Sequence, residues 1–442
     1  MRPTRFRPGV FRPDEYLQRA RQKMARLPPK PIFDVLSPMH SHLLNVSLAD
    51  HIPSACQPSH FARDLLEYQA RDDSARNDHD DVTVAAQGPL QDQQQPPSAE
   101  ARRLAPTLRP PPPPGLPMPL GHHTVYFPPQ MPASRLSPDG ADRDHAPGPP
   151  FVRRLWAGGS LVFSPGWEER MRLDGRRAVC VETVGEPVVK SRGGGSRSAG
   201  AGDKVLVSVV RRYGPVPLAA DEAALGFLSP DEQAVWQTME NPAIREERRL
   251  VFLRDLRESD DSSGRGAARK ESRVVKAPFE PDTSFTLRPD ARLLFHFSAL
   301  TFNAHAIHLD PLYARDHEGH RGLLVHGPLS LTLMLSLLRS RLDGEVPSTS
   351  SSSSSSATAA GSLPRRRWHL LGLDYQNLAP LVVGEPMTVC VRRKSERDYD
   401  ASDSDDGGER EARRSRWNVW IQGADGGMAV KGTAVATEMA PT

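Results

Sequence analysis

The sequence predicts an α+β fold in which antiparallel strands surround one long buried helix, and three observations lead to that prediction. The first is a single apolar run long enough for a core helix, at residues 323–338. The second is a series of short segments in which apolar and polar residues alternate, which is the period of a half-buried strand. The third is a set of polar, low-complexity segments between them, which cannot offset the entropy cost of folding.

The apolar run at residues 323–338 is interpreted as a core helix and not as a membrane span. His, Gly, Pro, Ser and Thr residues interrupt it, and it is shorter than the roughly 20 residues that cross a bilayer. Gly327-Pro328 is expected to begin the helix, because the first helical turn does not need the N–H that proline lacks.

The alternating segments predict strands on both sides of this helix. They are rich in Val and Leu, whose side chains pack well on a pleated sheet surface when one face is buried. Strands are expected at residues 179–183, 205–210, 250–253 and 293–297 before the helix, and at 368–373, 387–391, 417–421 and 428–435 after it. A strand, a long helix and then several antiparallel strands indicate a sheet that wraps around a helix.

The composition indicates that the chain is not folded from end to end. Proline makes up 43 of the 442 residues, and the mean hydropathy is −0.51. The apolar residues are concentrated in enough segments for about two compact units. Long disordered insertions are expected at residues 69–115, 191–203, 256–272, 343–367 (which include the serine run Ser350–Ser356) and 395–415.

Charge and cysteine content exclude several classes of protein. Lys and Arg number 57 and Asp and Glu number 54, whereas a dedicated nucleic-acid binder has a strong basic excess. The three cysteines are far apart and form no CxxC pair, which excludes a disulfide scaffold and indicates a reducing compartment. We therefore expect no nucleic-acid partner and no integral membrane segment.

The first 30 residues are rich in arginine and poor in acidic residues, a composition that resembles a mitochondrial transit peptide. The arginines are Arg2, Arg5, Arg7, Arg12, Arg19, Arg21 and Arg26, and they are opposed only by Asp14 and Glu15. The segment contains several prolines and no serine, so a solvated basic tail is the alternative interpretation. The expected location is the mitochondrial matrix.

Six of the fifteen histidines lie between residues 296 and 326, and they mark the candidate site. Histidine can accept and return a proton near neutral pH. Gly327 offers a different chemistry, because an N–H group at the start of a helix can stabilise an oxyanion. The spacings His305-x-x-His308 and His317-x-x-His320 also permit a rival hypothesis, in which two pairs of metal ligands serve a hydrolase.

The segment Ser298-Ala-Leu-Thr-Phe-Asn-Ala-His-Ala-Ile-His308, followed by Val325-His326-Gly327, resembles the signature of the MaoC-like hydratases and dehydratases. The resemblance is strongest to a fungal subgroup, the mitochondrial 3-hydroxyacyl-thioester dehydratases type 2. Residues 37–45 and 153–160 resemble other signatures of this subgroup. The resemblance implies a double hotdog fold, with two antiparallel sheets that each wrap around a central helix.

The resemblance also implies a hydro-lyase. The expected reaction is the reversible dehydration of (3R)-3-hydroxyacyl thioesters to trans-2-enoyl thioesters in mitochondrial type II fatty acid synthesis. The expected partner is an acyl carrier protein that carries the acyl thioester, and a homodimer is compatible with the family. An R-specific hydratase of coenzyme A esters and a non-catalytic acyl-binding module are the alternatives. This chemistry requires neither a metal ion nor an organic cofactor.

Positions in the motif imply the roles of individual residues. His308 is expected to be the catalytic base, and the Gly327 N–H is expected to stabilise the oxyanion. Asn303 stands where the wider family has an aspartate, and an amide can position a hydroxyl group but cannot exchange a proton. The residues expected to contact the substrate are Thr301, His305 and His326.

The resemblance also suggests how the chain is divided. A leader is expected at residues 1–30, and a non-catalytic hotdog that shapes the acyl tunnel at 31–255. A linker at 256–273 then leads to the catalytic hotdog at 274–442.

Overall fold

The computed structural model describes residues 13–62, 115–190, 203–217, 228–255, 274–343, 368–394 and 414–438. The strands are β1 (Lys30–Val35), β2 (Leu116–Pro117), β3 (Phe151–Phe163), β4 (Arg172–Leu173), β5 (Arg177–Val184), β6 (Val188–Lys190), β7 (Lys204–Pro215), β8 (Ile244–Arg254), β9 (Thr283–Leu287), β10 (Trp368–Asn377), β11 (Met387–Arg393), β12 (Arg414–Gln422) and β13 (Met428–Glu438). The helices are α1 (Pro13–Ala25), α2 (Pro38–Leu48), α3 (Trp167–Arg170), α4 (Pro230–Glu240), α5 (Ala291–Thr301), α6 (Pro311–Asp316) and α7 (Gly327–Leu342).

One antiparallel sheet contains all strands except β2 and β4, and its order shows that the fold is duplicated. The order is β1-β5-β7-β8-β3-β10-β13-β12-β11-β9, with β6 paired to β7. Numbered along the chain within each half, the five main strands lie in the order 1-3-4-5-2 in both halves. The second strand of each half, β3 or β10, joins the halves by antiparallel pairing. The chain is therefore a double hotdog, as predicted.

The long helix α7 lies at the centre of the core. It begins at Gly327-Pro328, as predicted, and its side chains from Leu329 to Arg339 are buried on every side of the helix. It packs against β10, β11 and β12 of its own half. The same apolar cluster includes Leu161 and Phe163 of β3, so the two halves share one core. In the first half the helix that follows β1 is the shorter α2, which packs against α5.

Most predicted strands are confirmed, but the strand expected at residues 293–297 is wrong. These residues belong to the helix α5, which Asp290 caps by accepting a hydrogen bond from the backbone N–H of Leu293. The buried residues of α5 are Leu293, Leu294, Phe297 and Ser298, which is the spacing of one helical face. A short run of Leu and Phe does not distinguish a strand from a buried helical face.

The basic N-terminal segment contains the helix α1, which packs onto the first half. Tyr16, Ala20 and Met24 are buried in one apolar cluster with Phe151 of β3. The hydroxyl of Tyr16 donates a hydrogen bond to the carbonyl oxygen of Gly148. Residues 13–25 are therefore part of the folded body in this structure.

The segments predicted to be insertions lie almost entirely outside the described residues. The exceptions are at their ends; for example, Arg414 and Ser415 begin β12. Where the chain is described, no helix has the length and apolar character needed to cross a membrane. Cys56, Cys180 and Cys390 are buried free thiols.

Candidate active site

A cavity of about 490 Å³ brings together most of the predicted site residues. The second half contributes His308, Asn303 and Gly327 to its wall, and β3 of the first half contributes Arg154 and Trp156. The volume is in the range of small-molecule sites. Because both halves line the cavity, neither half encloses it alone.

His308 ends the short 3-10 turn Ala306–His308 and is only 8% exposed. Its Nδ1 lies 2.8 Å from the carbonyl oxygen of Leu324. A carbonyl oxygen can only accept, so Nδ1 carries the ring hydrogen and Nε2 keeps its lone pair. Nε2 is therefore the nitrogen of His308 that remains to act on a bound molecule.

The surroundings of His308 keep its ring neutral. Burial is the main reason that the pKa of His308 is well below its usual value, and the nearby His326, His305 and Arg154 lower it further. A neutral imidazole with a free lone pair is the form that can accept a proton.

Contact of His326 with the substrate stays a prediction, and the structure places this residue in the core beside His308. Its ring is 0% exposed and does not line the cavity. It stacks on the ring of His308 with a centroid distance of 3.7 Å, and its Nε2 lies 2.8 Å from the hydroxyl oxygen of Ser298. Burial lowers the pKa of His326 to about 3. His326 therefore packs against the ring of His308 and stays neutral.

Asn303 and Thr301 both line the cavity, but part of their polar capacity is already used. The Oδ1 of Asn303 accepts a hydrogen bond from the backbone N–H of His305 at 3.0 Å, which makes Asn303 a turn residue. Its amide nitrogen, which can only donate, is the group left for a ligand. The hydroxyl of Thr301 donates to the carbonyl oxygen of Phe297 at 2.7 Å, within α5.

Gly327 is the first residue of α7, and the space around it admits only glycine. A Cβ atom at this position would lie 2.8 Å from Cγ of Trp156. Its N–H has no acceptor within the helix, as is general for the first helical turn. Gly327 lines the cavity, so the positive end of the helix dipole lies at the cavity wall.

His305 was expected to contact the substrate, and it lines the cavity beside His308, with 5.6 Å between the ring centroids. The sequence analysis did not identify its neighbour, Asp139, whose Oδ2 lies 3.3 Å from Nε2 of His305. Asp139 precedes β3 in the other half of the chain. No local pattern could have revealed this contact, because only the folded chain brings the two segments together.

The arrangement does not support the metal-site hypothesis at the two predicted pairs. Among the described residues, the only group of three ligand atoms within 4.8 Å of one another consists of Asp142, His145 and Glu182. The carboxylates of that group have cationic neighbours: Lys30 is 3.5 Å from Asp142, and Arg211 is 3.4 Å from Glu182. Neither His305-x-x-His308 nor His317-x-x-His320 is part of such a group.

Comparison with solved structures finds a likeness over nearly the whole chain. The MaoC-like dehydratase from Phytophthora capsici is 12% identical, with a TM-score of 0.42, and the match covers 95% of this chain and 99% of that chain.

Comparison of sequences finds two enzymes to which this chain is similar. The mesaconyl-C(4)-CoA hydratase of Chloroflexus aurantiacus is 34% identical over 226 residues, which cover 50% of this chain and 65% of that protein. The mitochondrial hydroxyacyl-thioester dehydratase type 2 of Schizosaccharomyces pombe is 23% identical over 278 residues, which cover 61% of this chain and 76% of that protein. The chain thus spans slightly less than two thirds of the first relative and about three quarters of the second.

The family model for hydroxyacyl-thioester dehydratase type 2 matches residues 121–212 and 227–353. The matched residues include β3, Asp139, the histidine motif and the start of α7. The chain belongs to the hydroxyacyl-thioester dehydratase type 2 family.

Proposed function

We propose that this protein catalyses the reversible dehydration of (3R)-3-hydroxyacyl thioesters to trans-2-enoyl thioesters. The observation that carries the proposal is the position of His308, which lines a cavity with its Nδ1 fixed by the Leu324 carbonyl and its Nε2 free. Gly327, the first residue of α7, lines the same cavity and supplies a backbone N–H without a helical acceptor. A base and an oxyanion donor side by side are what removal of a proton next to a thioester carbonyl requires.

In the dehydration direction, Nε2 of His308 takes the proton from the carbon next to the thioester carbonyl. The carbonyl oxygen then gains enolate charge, which the Gly327 N–H and the dipole of α7 stabilise. The bond from the third carbon to its hydroxyl breaks, and the hydroxyl leaves as water once it has received a proton. The amide nitrogen of Asn303 holds the hydroxyl in position. These steps use no metal ion and no organic cofactor.

The acyl carrier and the pathway form the finer part of the proposal. An acyl carrier protein in mitochondrial type II fatty acid synthesis is supported by the fission yeast relative, which is named mitochondrial. Coenzyme A esters are the second candidate substrates, and the Chloroflexus relative, named a CoA hydratase, favours them. Turnover of matched enoyl thioesters on the two carriers separates these candidates.

The proposed domain boundaries are 31–255 and 274–442, with the linker 256–273 between them and a leader at 1–30 that directs the protein to the mitochondrial matrix. Cleavage after residue 30 would remove α1, although Tyr16, Ala20 and Met24 are buried against the first half. N-terminal sequencing of the protein from isolated mitochondria tests this boundary. A mature protein that begins before Pro13 would keep the helix and shorten the leader.

The experiment that tests the activity is hydration of crotonyl and longer enoyl thioesters by the purified full chain, with and without a chelator. His308→Ala should lose about 10²-fold or more in kcat while keeping the wild-type circular dichroism spectrum. His317→Ala is the matched control, because His317 is exposed and outside the cavity. Asn303→Ala should lose less than His308→Ala. Wild-type turnover in folded His308→Ala would instead favour a non-catalytic acyl-binding module, and chelator-sensitive ester hydrolysis would favour the metal hydrolase.

A further inference from the structure

The proposed reaction needs an acid that gives a proton to the departing hydroxyl group. His308 serves as the base, and Asn303 cannot give up a proton near neutral pH because its side chain is an amide. The required group must be titratable, must line the cavity and must be close to His308. His305 meets these conditions, with its ring 5.6 Å from that of His308.

The two nitrogens of His305 have different surroundings. Nε2 is buried and lies 3.3 Å from Oδ2 of Asp139. Because this nitrogen faces a carboxylate, Nδ1 is the nitrogen that can exchange a proton with a ligand in the cavity. A carboxylate beside one ring nitrogen orients the imidazole and stabilises its protonated form, while the other nitrogen is directed toward the substrate.

Asp139 is held in place by its own turn. Its Oδ1 accepts hydrogen bonds from the hydroxyl of Ser137 at 2.6 Å and from the backbone N–H of Ala141 at 3.1 Å. Burial alone would raise the pKa of the Asp139 carboxyl, but the contacts with His305, Ser137 and Ala141 keep that pKa well below its usual range. The group is therefore a fixed anion, and Oδ2 is the oxygen left to face His305.

The turn that contains Asp139 packs closely against the backbone of residues 304–306. The backbone N–H of Ala306 donates to the carbonyl oxygen of Asp139 at 2.8 Å. Gly140 has a φ of +80°, and a Cβ atom on it would lie 2.1 Å from the carbonyl oxygen of Ala304. Two backbone contacts on either side of His305 thus fix its position relative to Asp139.

We propose that His305 is the acid that protonates the departing hydroxyl and that Asp139, from the other half of the chain, is its positioning residue. This inference rests on the proposed function. Dehydration starts with neutral His308 and with His305 protonated on both nitrogens, its Nε2–H toward Asp139. His308 gains the proton from the substrate carbon while Nδ1 of His305 gives its proton to the hydroxyl, which leaves as water, and His305 becomes neutral. Transfer of one proton from His308 to His305 through solvent then restores the starting form. In hydration the same two rings act in the reverse sense.

The charges around His305 agree with this assignment. Burial lowers the pKa of His305, Asp139 and Glu318 raise it, and Arg154 lowers it, so the pKa lies below its usual value. Among the described residues no carboxylate pairs with His308, and burial lowers its pKa well below the usual value. The Asp139 carboxylate beside Nε2 therefore favours His305 as the ring that holds a proton shared by the pair, and the apparent pKa values belong to the pair.

The test is the pH dependence of kcat in the full-length enzyme. Asp139→Asn removes the charge and keeps the shape, so the basic limb of the profile should move to lower pH by about 1 to 3 pH units. At neutral pH, kcat should then fall about tenfold or more with little change in KM, because Asp139 does not line the cavity. Asp144→Asn is the matched control, since Asp144 lies in the same loop, pairs with Lys30 and is half exposed.

A second variant and a measurement on the wild-type protein complete the test. His305→Gln should lower kcat about tenfold or more. In the His305→Gln background, Asp139→Asn should no longer shift the basic limb of the pH profile. In an NMR titration of the wild-type histidine rings, His305 should keep its proton to a higher pH than His308. An unchanged basic limb in folded Asp139→Asn, or the reverse order of titration, would overturn the assignment. A wild-type protein that turns over no thioester would refute the proposed function, while the titration still reports on the pairing of His305 with Asp139.

Discussion

The contact between Gly327 and Trp156 gives a prediction whose size can be worked out from the structure. In Gly327→Ala, the new methyl group would lie 2.8 Å from Cγ and 3.1 Å from Cδ2 of Trp156. Carbon atoms in ordinary contact are about 3.5 to 4.0 Å apart, so one of the two groups must move by about 0.7 Å or more.

Trp156 is not free to make that movement. Its indole Nε1–H donates to the hydroxyl of Tyr375 at 3.0 Å, and the guanidinium of Arg248 lies over its ring at 5.1 Å. The start of α7 must therefore shift instead, and the Gly327 N–H shifts with it. Overpacking of this kind costs about 1 to 3 kcal/mol in the free energy of unfolding. Misplacing an oxyanion donor by such a distance should lower kcat about 10²-fold.

Urea unfolding and hydration of crotonyl thioester measure the two effects. Gly423→Ala is the control, because its Cβ would lie 3.3 Å from the flexible carboxylate of Asp425 and 4.0 Å, an ordinary contact distance, from the carbonyl oxygen of Gly427. A double-mutant cycle with Trp156→Leu isolates the contact, and we expect the two changes to be less damaging together than their sum, by about 1 to 3 kcal/mol. Strictly additive effects, or wild-type stability and turnover in Gly327→Ala, would refute the reasoning.

Three further predictions concern pH, the insertions and the two halves. Burial lowers the pKa of His123 to about 4 and that of His326 to about 3, whereas both take up protons near pH 6.5 when unfolded. As the pH is lowered from about 6.5, the free energy of unfolding should therefore decrease by about 1.4 kcal/mol per pH unit for each histidine. Equal urea midpoints at about pH 7 and pH 5 would contradict this prediction. Residues 344–367 lie outside the described residues, and a serine-rich segment cannot pack a core. Their replacement with a Gly/Ser linker of about ten residues should leave turnover nearly unchanged. Loss of soluble protein would count against this prediction. Residues 274–442 expressed alone should be insoluble or inactive, since the edge of β10 and the open cavity would be exposed, and an active soluble fragment would show that the halves are independent.

Local patterns in the sequence were sufficient for the central helix and for most strands. The start of α7 follows from Gly327-Pro328 and the apolar run behind it. The strands β7 and β11 follow from their valines, and β12 follows from the alternation of Trp417, Val419 and Ile421 with other residues. The strand β3 was not predicted, because Arg153 and Arg154 interrupt its apolar pattern. Arg153 is nevertheless largely buried, since it pairs with Glu318 at 2.8 Å, a partner that the local sequence does not indicate.

The candidate site shows the same limit. The motif predicts catalytic roles for His308, Asn303 and Gly327, and all three residues line one cavity in the structure. It did not distinguish His305, which lines the cavity, from His326, which is fully buried behind His308, because the motif does not show which way a ring faces. Contacts between distant segments decide that question, and they depend on the tertiary fold.

The strand β3 connects the half without the histidine motif to the candidate site. Its Arg153 holds Glu318 by an ion pair and also donates to the Glu318 carbonyl oxygen at 2.7 Å. Trp156, three residues along, sets the space around Gly327, and the turn just before the strand carries Asp139. The strand β3 pairs with β10 where the halves join, so a shift of the first half would change its contacts with Glu318, with Gly327 and with His305 together. The geometry of the histidine motif therefore depends on both hotdogs, because side chains of the first half contact the residues of the motif in the second half.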